Sequence, residues 1–123
     1  SAQELAVAHD TALPMPSARM AALREACRRI ATGDIAVDAG TDRDVLRRGL
    51  TAVPGIGPWT AEYVAMRALG DPDAFPATDL GVRHGLARAG ISVTPRRVVD
   101  IAEAWRPWRA YATHHLWNHL EDR

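Results

Sequence analysis

A chain of 123 residues is the size of one domain, because below about 150 residues a single hydrophobic core is the usual outcome. Its 15 basic side chains balance 15 acidic ones and interleave with them in both halves, so a polyanion must be held by local geometry and not by a basic surface. The lone Cys27 excludes an internal disulfide and any thiol-built zinc or iron–sulfur centre. No apolar run approaches the roughly 18 residues of a membrane helix, and the opening SAQELAVAHD lacks the basic and apolar parts of a secretion signal. We expect a soluble, cytoplasmic chain. All 15 basic residues are Arg and none is Lys, which removes Schiff-base chemistry from every side chain and leaves the terminal amine as the only amine nucleophile.

About fifteen weakly patterned residues come first. Met20, Leu23, Cys27 and Ile30 then recur at three- and four-residue steps, with Ser17 the expected N-cap and Gly33 beyond the end, which describes an amphipathic helix. Thr41 or Asp42 can cap a second helix carrying Val45, Leu46 and Leu50, whose first-turn acids suit the positive end of the helix dipole and which stops at Val53-Pro54. A third runs from Pro58 to Gly70. After the loop DPDAFPA, Thr78 is the expected N-cap of a fourth helix, with Asp79 in its first turn and Gly90 past its end. Thr94-Pro95 opens a fifth, and Pro107 restarts the chain into a sixth that carries YATHHLWNHL. The segment ISV is too short to act as a strand. The expected class is all-α, with about six helices, no internal repeat and no low-complexity linker.

The stretch TAVPGIGPWTAEYVAMRALG, residues 51 to 70, joins two of these helices through Pro-Gly-Ile-Gly. Glycines there permit positive φ and a bare backbone that can approach a ligand. Successive N–H groups at the helix opening at Pro58, reinforced by its dipole, form a nest for an anion such as phosphate. A nucleotide P-loop would need a preceding strand and a following Lys-Ser/Thr, whereas a helix precedes and Trp59-Thr60 follows. The turn therefore suits a nucleic-acid backbone, or serves only as a tight αα-hairpin.

Together, LTAVPGIGPWTAEYVAMRAL, FPATDLGVR and WRPWRAYATHHLW resemble the helix-hairpin-helix DNA glycosylases, in particular the 3-methyladenine DNA glycosylase II branch, from about Met15 onward. The resemblance implies a hairpin over residues 50–60 that grips DNA phosphate with the backbone of Gly55, Ile56, Gly57 and Thr60. It also implies a monovalent cation on the carbonyls of Val53 and Gly55, a catalytic aspartate at Asp79 on a helix from residue 78, and a damaged-base pocket lined by Trp59, Tyr63 and Trp117. No other cofactor is implied. The implied partner is double-stranded DNA with alkylated bases of the 3-methyladenine and 7-methylguanine type, and the implied setting is the bacterial nucleoid, with no membrane. Strand-cutting relatives carry a lysine where this chain has Trp59, so a monofunctional hydrolase is expected. The family's N-terminal half, with its wedge residue, and a small sheet domain have no counterpart here. We therefore expect a C-terminal fragment of a larger protein, one joined to an alkyl-transfer domain as in some bacterial relatives.

Cleavage of a base–sugar bond develops positive charge on the sugar, so a fixed Asp79 carboxylate stabilises that transition state and can orient or deprotonate water. Aromatic faces at Trp59, Tyr63 and Trp117 suit a cationic alkylated purine. Trp105, Trp108 and Phe75 are expected in the core, and His114, His115 and His119 on a polar face, since no carboxylate completes a zinc set. Arg83, Arg106 and Arg109 are assigned to solvated helix faces. A non-catalytic DNA-binding module would need only the hairpin, and a protein-interaction module would use the apolar surface left by a missing half-domain. With no lysine present, borohydride should trap no covalent complex between a side chain of this chain and abasic DNA; mass spectrometry of the reduced mixture checks this, and an adduct mapped to a side chain would contradict it.

Overall fold

The computed structural model describes residues 1–9 and 12–121. Among them it forms seven α-helices: α1 (Ala2–Ala6), α2 (Ser17–Thr32), α3 (Arg43–Thr51), α4 (Pro58–Ala68), α5 (Leu80–Arg88), α6 (Pro95–Glu103) and α7 (Arg109–Glu121), with no strand. The six helices read from the sequence are all present. The seventh, α1, lies in the weakly patterned start and is nucleated by a capping box: Ser1 Oγ accepts from the Glu4 amide while the Glu4 carboxylate reaches back to the Ser1 amine. No helix among the described residues is long and apolar enough to cross a membrane.

Two caps differ from expectation. Ser17 is the first residue of α2 and Pro16 precedes it, with no side-chain cap. Asp79, not Thr78, caps α5, its carboxylate accepting from the Val82 amide. In both places the chain enters its helix from an extended proline or aspartate, which moves the cap by one residue. Asp42 caps α3 through the amides of Asp44 and Val45, and Thr94 caps α6. Gly33 and Gly70 take positive φ past the ends of α2 and α4.

Two apolar clusters make the core. One joins Ala26, Ile35, Leu46, Leu50, Val53, Ala61, Ala65 and Met66 to Ala74 and Ala110. The other joins Phe75, Val82, Leu86, Val98, Ala102 and Leu116. Ala74 and Phe75 are adjacent in sequence yet belong to different clusters, so the loop between α4 and α5 runs along their seam. Helix α5 lies against α7 so closely that a Cβ added at Gly85 would sit 2.8 Å from the Leu116 carbonyl oxygen.

Phe75 is buried and Trp105 packs edge-on against it, as expected of core residues. Trp108 departs from expectation: it is 57% exposed and lies edge-to-face with Tyr111, which is 65% exposed. The chain turns between the two indoles, with the Trp108 amide donating to the Trp105 carbonyl, and only the first of them reaches the core. Arg106 and Arg109 do not sit on free solvated faces either. Both pair with Asp73, and the Arg109 guanidinium also lies over the Phe75 ring.

Asp73 fastens the loop to α7 through the Arg109 side chain at 2.8 and 3.0 Å and through the Arg109 amide. The Arg109 hydrogen bonds hold its carboxyl below the usual aspartate range against the opposing effect of burial. Because the group is more acidic folded than unfolded, its stabilisation is complete above the unfolded pKa of about 3.9 and disappears as pH falls through the lower folded value. Replacing Asp73 by Asn should therefore lower urea-unfolding stability at pH 7 by about 1–3 kcal/mol, with the gap to the unaltered protein closing as pH drops below about 4. A gap independent of pH would remove the carboxylate from this role.

Candidate active site

The residues singled out at the site converge from three helices. Trp59, Thr60 and Tyr63 stand on the first two turns of α4, Asp79 caps α5, and Trp117 projects from α7. The Trp59 Nε1–H donates to Asp79 Oδ1 at 2.7 Å, and the Trp117 Nε1–H donates to Asp79 Oδ2 at 2.8 Å. The Val82 amide reaches the same Oδ2 at 2.8 Å. Three donors thus fix the plane and direction of one carboxylate, which remains partly accessible.

The aromatic groups form one continuous surface. Trp59 and Tyr63 stack with centroids 5.2 Å apart and planes 9° apart, and Trp117 tilts toward Tyr63 at 6.3 Å. Arg67, one turn further along α4, places its guanidinium over Tyr63 at 5.5 Å from the ring centre. Tyr63 is therefore flanked by Trp59 one turn before it and Arg67 one turn after it, which leaves Trp59, 38% exposed, as the more open face for a planar guest. His114 meets Trp117 edge-on at 5.2 Å, and burial, aided by the Arg67 charge, holds its imidazole below the ordinary range.

The hairpin lies before this cluster. Gly55 has φ of 90° and packs onto α2, where an added Cβ would come within 3.1 Å of Ala22. The Ile56 amide donates to the Val53 carbonyl and closes the turn. Gly57 departs from the expectation of positive φ: at φ −99° and ψ −179° it is extended, a conformation open to any residue. What its missing side chain provides is space, since no atom lies within 4 Å of an added Cβ. Helix α4 begins there with no side-chain cap, and Pro58 has no N–H, so the amides of Trp59 and Thr60 face outward at the positive end of the helix.

Other candidates fall elsewhere. His115 and His119 lie ring to ring at 6.3 Å, and no group of three metal-ligating side chains is assembled among the described residues. A charged groove of about 660 Å³ lies away from Asp79, beside Arg47, Glu62, Asp71 and Asp73, and its ions are paired with one another. Sequence reasoning missed Gly81, where an added Cβ would lie 2.9 Å from both Asp79 Oδ2 and Trp117 Cδ1. The Gly81-x-x-x-Gly85 spacing on α5 was the available signal, because it marks one small-residue face four residues apart.

A glycine-turned helical hairpin, followed by an aspartate fixed among aromatic side chains at a helix start, is the arrangement that a helix-hairpin-helix glycosylase implies. By sequence the chain is a homologue of the DNA-3-methyladenine glycosylases. It is 45% identical over 121 residues, 98% of its length, to a protein of Mycobacterium tuberculosis named as a probable bifunctional transcriptional activator/DNA repair enzyme AlkA. It is 33% identical over 106 residues to DNA-3-methyladenine glycosylase 2 of Escherichia coli, and 41% identical over 76 residues to a DNA-3-methyladenine glycosylase of Bacillus subtilis. These matches cover 86% and 59% of the chain, respectively. The chain spans 24% of the mycobacterial relative's length, 36% of the E. coli one's and 25% of the B. subtilis one's. No protein-family model matches it.

The Gly81 contact yields a direct test of the site's geometry. Gly81→Ala should push the Trp117 indole off Asp79, seen as a shift in tryptophan emission, and should cost about 1–3 kcal/mol of stability from overpacking. Unchanged emission and stability would contradict the close contact.

Proposed function

We propose that the protein hydrolyses the N-glycosidic bond of alkylated bases in double-stranded DNA, of the 3-methyladenine and 7-methylguanine type, and leaves an abasic site. The observation that carries this reading is the Asp79 carboxylate held by the Trp59 and Trp117 indoles beside an open aromatic face. The similarity to DNA-3-methyladenine glycosylases supports it.

In this reading the phosphate backbone docks on the outward amides of α4 and on the Gly55–Gly57 turn. The extended, sterically open Gly57 lets a phosphate oxygen come close, and the helix dipole favours its charge. A balanced net charge is compatible with this mode because the attraction is local. A monovalent cation fits the same turn: its donors are the neutral carbonyls of Val53 and Gly55, no carboxylate belongs to the turn, and the Val53 carbonyl keeps one lone pair beyond its bond to Ile56. Bound there, the cation would supply positive charge toward a phosphate oxygen.

The flipped base stacks on Trp59 and the neighbouring aromatic surface, where stacking of about 1–3 kcal/mol per base helps offset unstacking from the duplex. A positively charged lesion gains further from the ring quadrupole. As the base departs, the sugar's positive charge faces Asp79, whose orientation is already set, so little reorganisation accompanies the reaction. The same carboxylate can orient or deprotonate the incoming water. The substrate's opposite side is expected to meet a further part of the protein that supplies the wedge, together with any alkyl-transfer domain, and the protein would work at the nucleoid.

Asp79→Asn in the intact protein should reduce excision of 7-methylguanine or 3-methyladenine by about 10²–10³-fold while changing DNA affinity little. Asn is a good N-cap and keeps the fold. It replaces one carboxylate oxygen by an amide NH2 group, which cannot accept, so at least one of the three hydrogen bonds to Asp79 is also lost. Release of free base from alkylated DNA is the assay. Excision at the unaltered rate would favour a non-catalytic DNA-binding module that uses the same hairpin.

A further inference from the structure

Helix α4 reaches the Asp79 loop with two polar side chains, those of Trp59 and Glu62. Trp59 reaches the Asp79 carboxylate itself, and Glu62, three residues later, accepts the Phe75 amide on Oε2 at 2.9 Å. Phe75 is buried and stands four residues before Asp79. Glu62 is in turn gripped by Arg47 of α3, at 2.7 Å from Nε to Oε1 and 3.1 Å from Nη2 to Oε2. The same guanidinium reaches the buried Asp71 at 2.6 Å. Arg47 therefore ties the helix that enters the hairpin to both the start and the middle of the loop that ends at Asp79.

We propose that Glu62 is a positioning residue, which sets the distance between the hairpin's phosphate-binding amides and the Asp79 carboxylate. This rests on the reading of Asp79 given above. DNA held at the hairpin presents its sugar at a place fixed by duplex geometry, so Asp79 acts only if the loop stands in register with α3 and α4. Two features single out Glu62 for this task. Its carboxylate receives a backbone amide from the loop and a forked guanidinium from the helix before the hairpin, and each partner fixes one direction. Its side chain is only 21% exposed, so water does not readily replace either partner. Loss of the carboxylate frees the Phe75 amide and lets the loop drift, and displacement of about 1 Å at a reacting group costs on the order of 10²-fold in rate.

The test compares Glu62→Ala, Glu62→Gln and Asp79→Asn in the intact protein. The readouts are single-turnover excision of 7-methylguanine, affinity for undamaged duplex, thermal melting, and the fluorine resonance of 5-fluorotryptophan at position 59, assigned with Trp59→Phe. Glu62→Ala should slow excision by about 10²-fold, with duplex affinity within about twofold and the position-59 resonance moved. Glu62→Gln keeps an acceptor for Phe75 but not the charge-assisted fork to Arg47, and should lie between the two. Excision by both variants at the unaltered rate would overturn the proposal, as would loss of rate only in step with lost melting or lost affinity, in Glu62→Gln if the Ala variant fails to fold. Asp79→Asn separates the two readings: if it alone abolishes excision, the Glu62 role falls and the glycosylase reading stands, whereas full excision by Asp79→Asn removes the reading on which the Glu62 role rests.

Discussion

One carboxylate accepts hydrogen bonds from three helices, and the packing around it makes those bonds geometrically possible. Asp79 receives the Trp59 indole from α4, the Val82 amide from its own helix α5 and the Trp117 indole from α7. A carboxylate offers about four acceptor directions, so three donors leave room for one further partner at the accessible side. The contact of α5 with α7 is the precondition. A side chain at Gly81 would press on the Trp117 indole and on Asp79 Oδ2, and one at Gly85 would strike the backbone of Leu116. Close packing of two helices and the aim of the acid are thus one constraint expressed at successive turns of α5.

A second consequence concerns the arginines. With no net charge, a DNA-binding surface built from free guanidinium groups would need them clustered and unpaired. Several arginines are instead committed internally: Arg47 to Glu62 and Asp71, Arg106 and Arg109 to Asp73, and Arg43 to Asp71. These pairs cross between helices and hold the α4–α5 loop at alternate residues, 71 and 73, while Glu62 takes the amide of 75. These arginines shape the loop, and in the proposed reading the backbone amides at the start of α4 are what attracts the phosphate.

How much of this was legible in the sequence depended on how local the signal was. Periodicity and punctuation placed the six main helices, because Pro58, Pro95 and the glycines at 33, 70 and 90 act within a few residues of themselves. The five-residue α1 was not readable, since its stability comes from a capping box and contact with α2 instead of from an apolar stripe. The candidate site residues Asp79, Trp59, Tyr63 and Trp117 came from a resemblance between motifs, and only three-dimensional packing shows that the two tryptophans bond the Asp79 carboxylate. The assignment of Trp108 to the core failed for a related reason: composition marks an indole as apolar, but not which side of a turn it leaves.

Glu62 marks the limit of sequence reading most sharply. On the helix it is an ordinary acid among apolar neighbours, and nothing in its spacing distinguishes it from a solvated side chain. Its partners lie fifteen residues before it and thirteen after it, separations that no helical period connects. Both depend on tertiary packing: α3 and α4 lie against each other across the hairpin, which brings Arg47 to α4, and the α4–α5 loop follows the seam between the two clusters, which brings the Phe75 amide to the same turn. A buried amide without a partner is costly, so some acceptor is required at position 62. A charged one does more than satisfy that amide, because it also fixes the guanidinium of the helix leading into the hairpin turn.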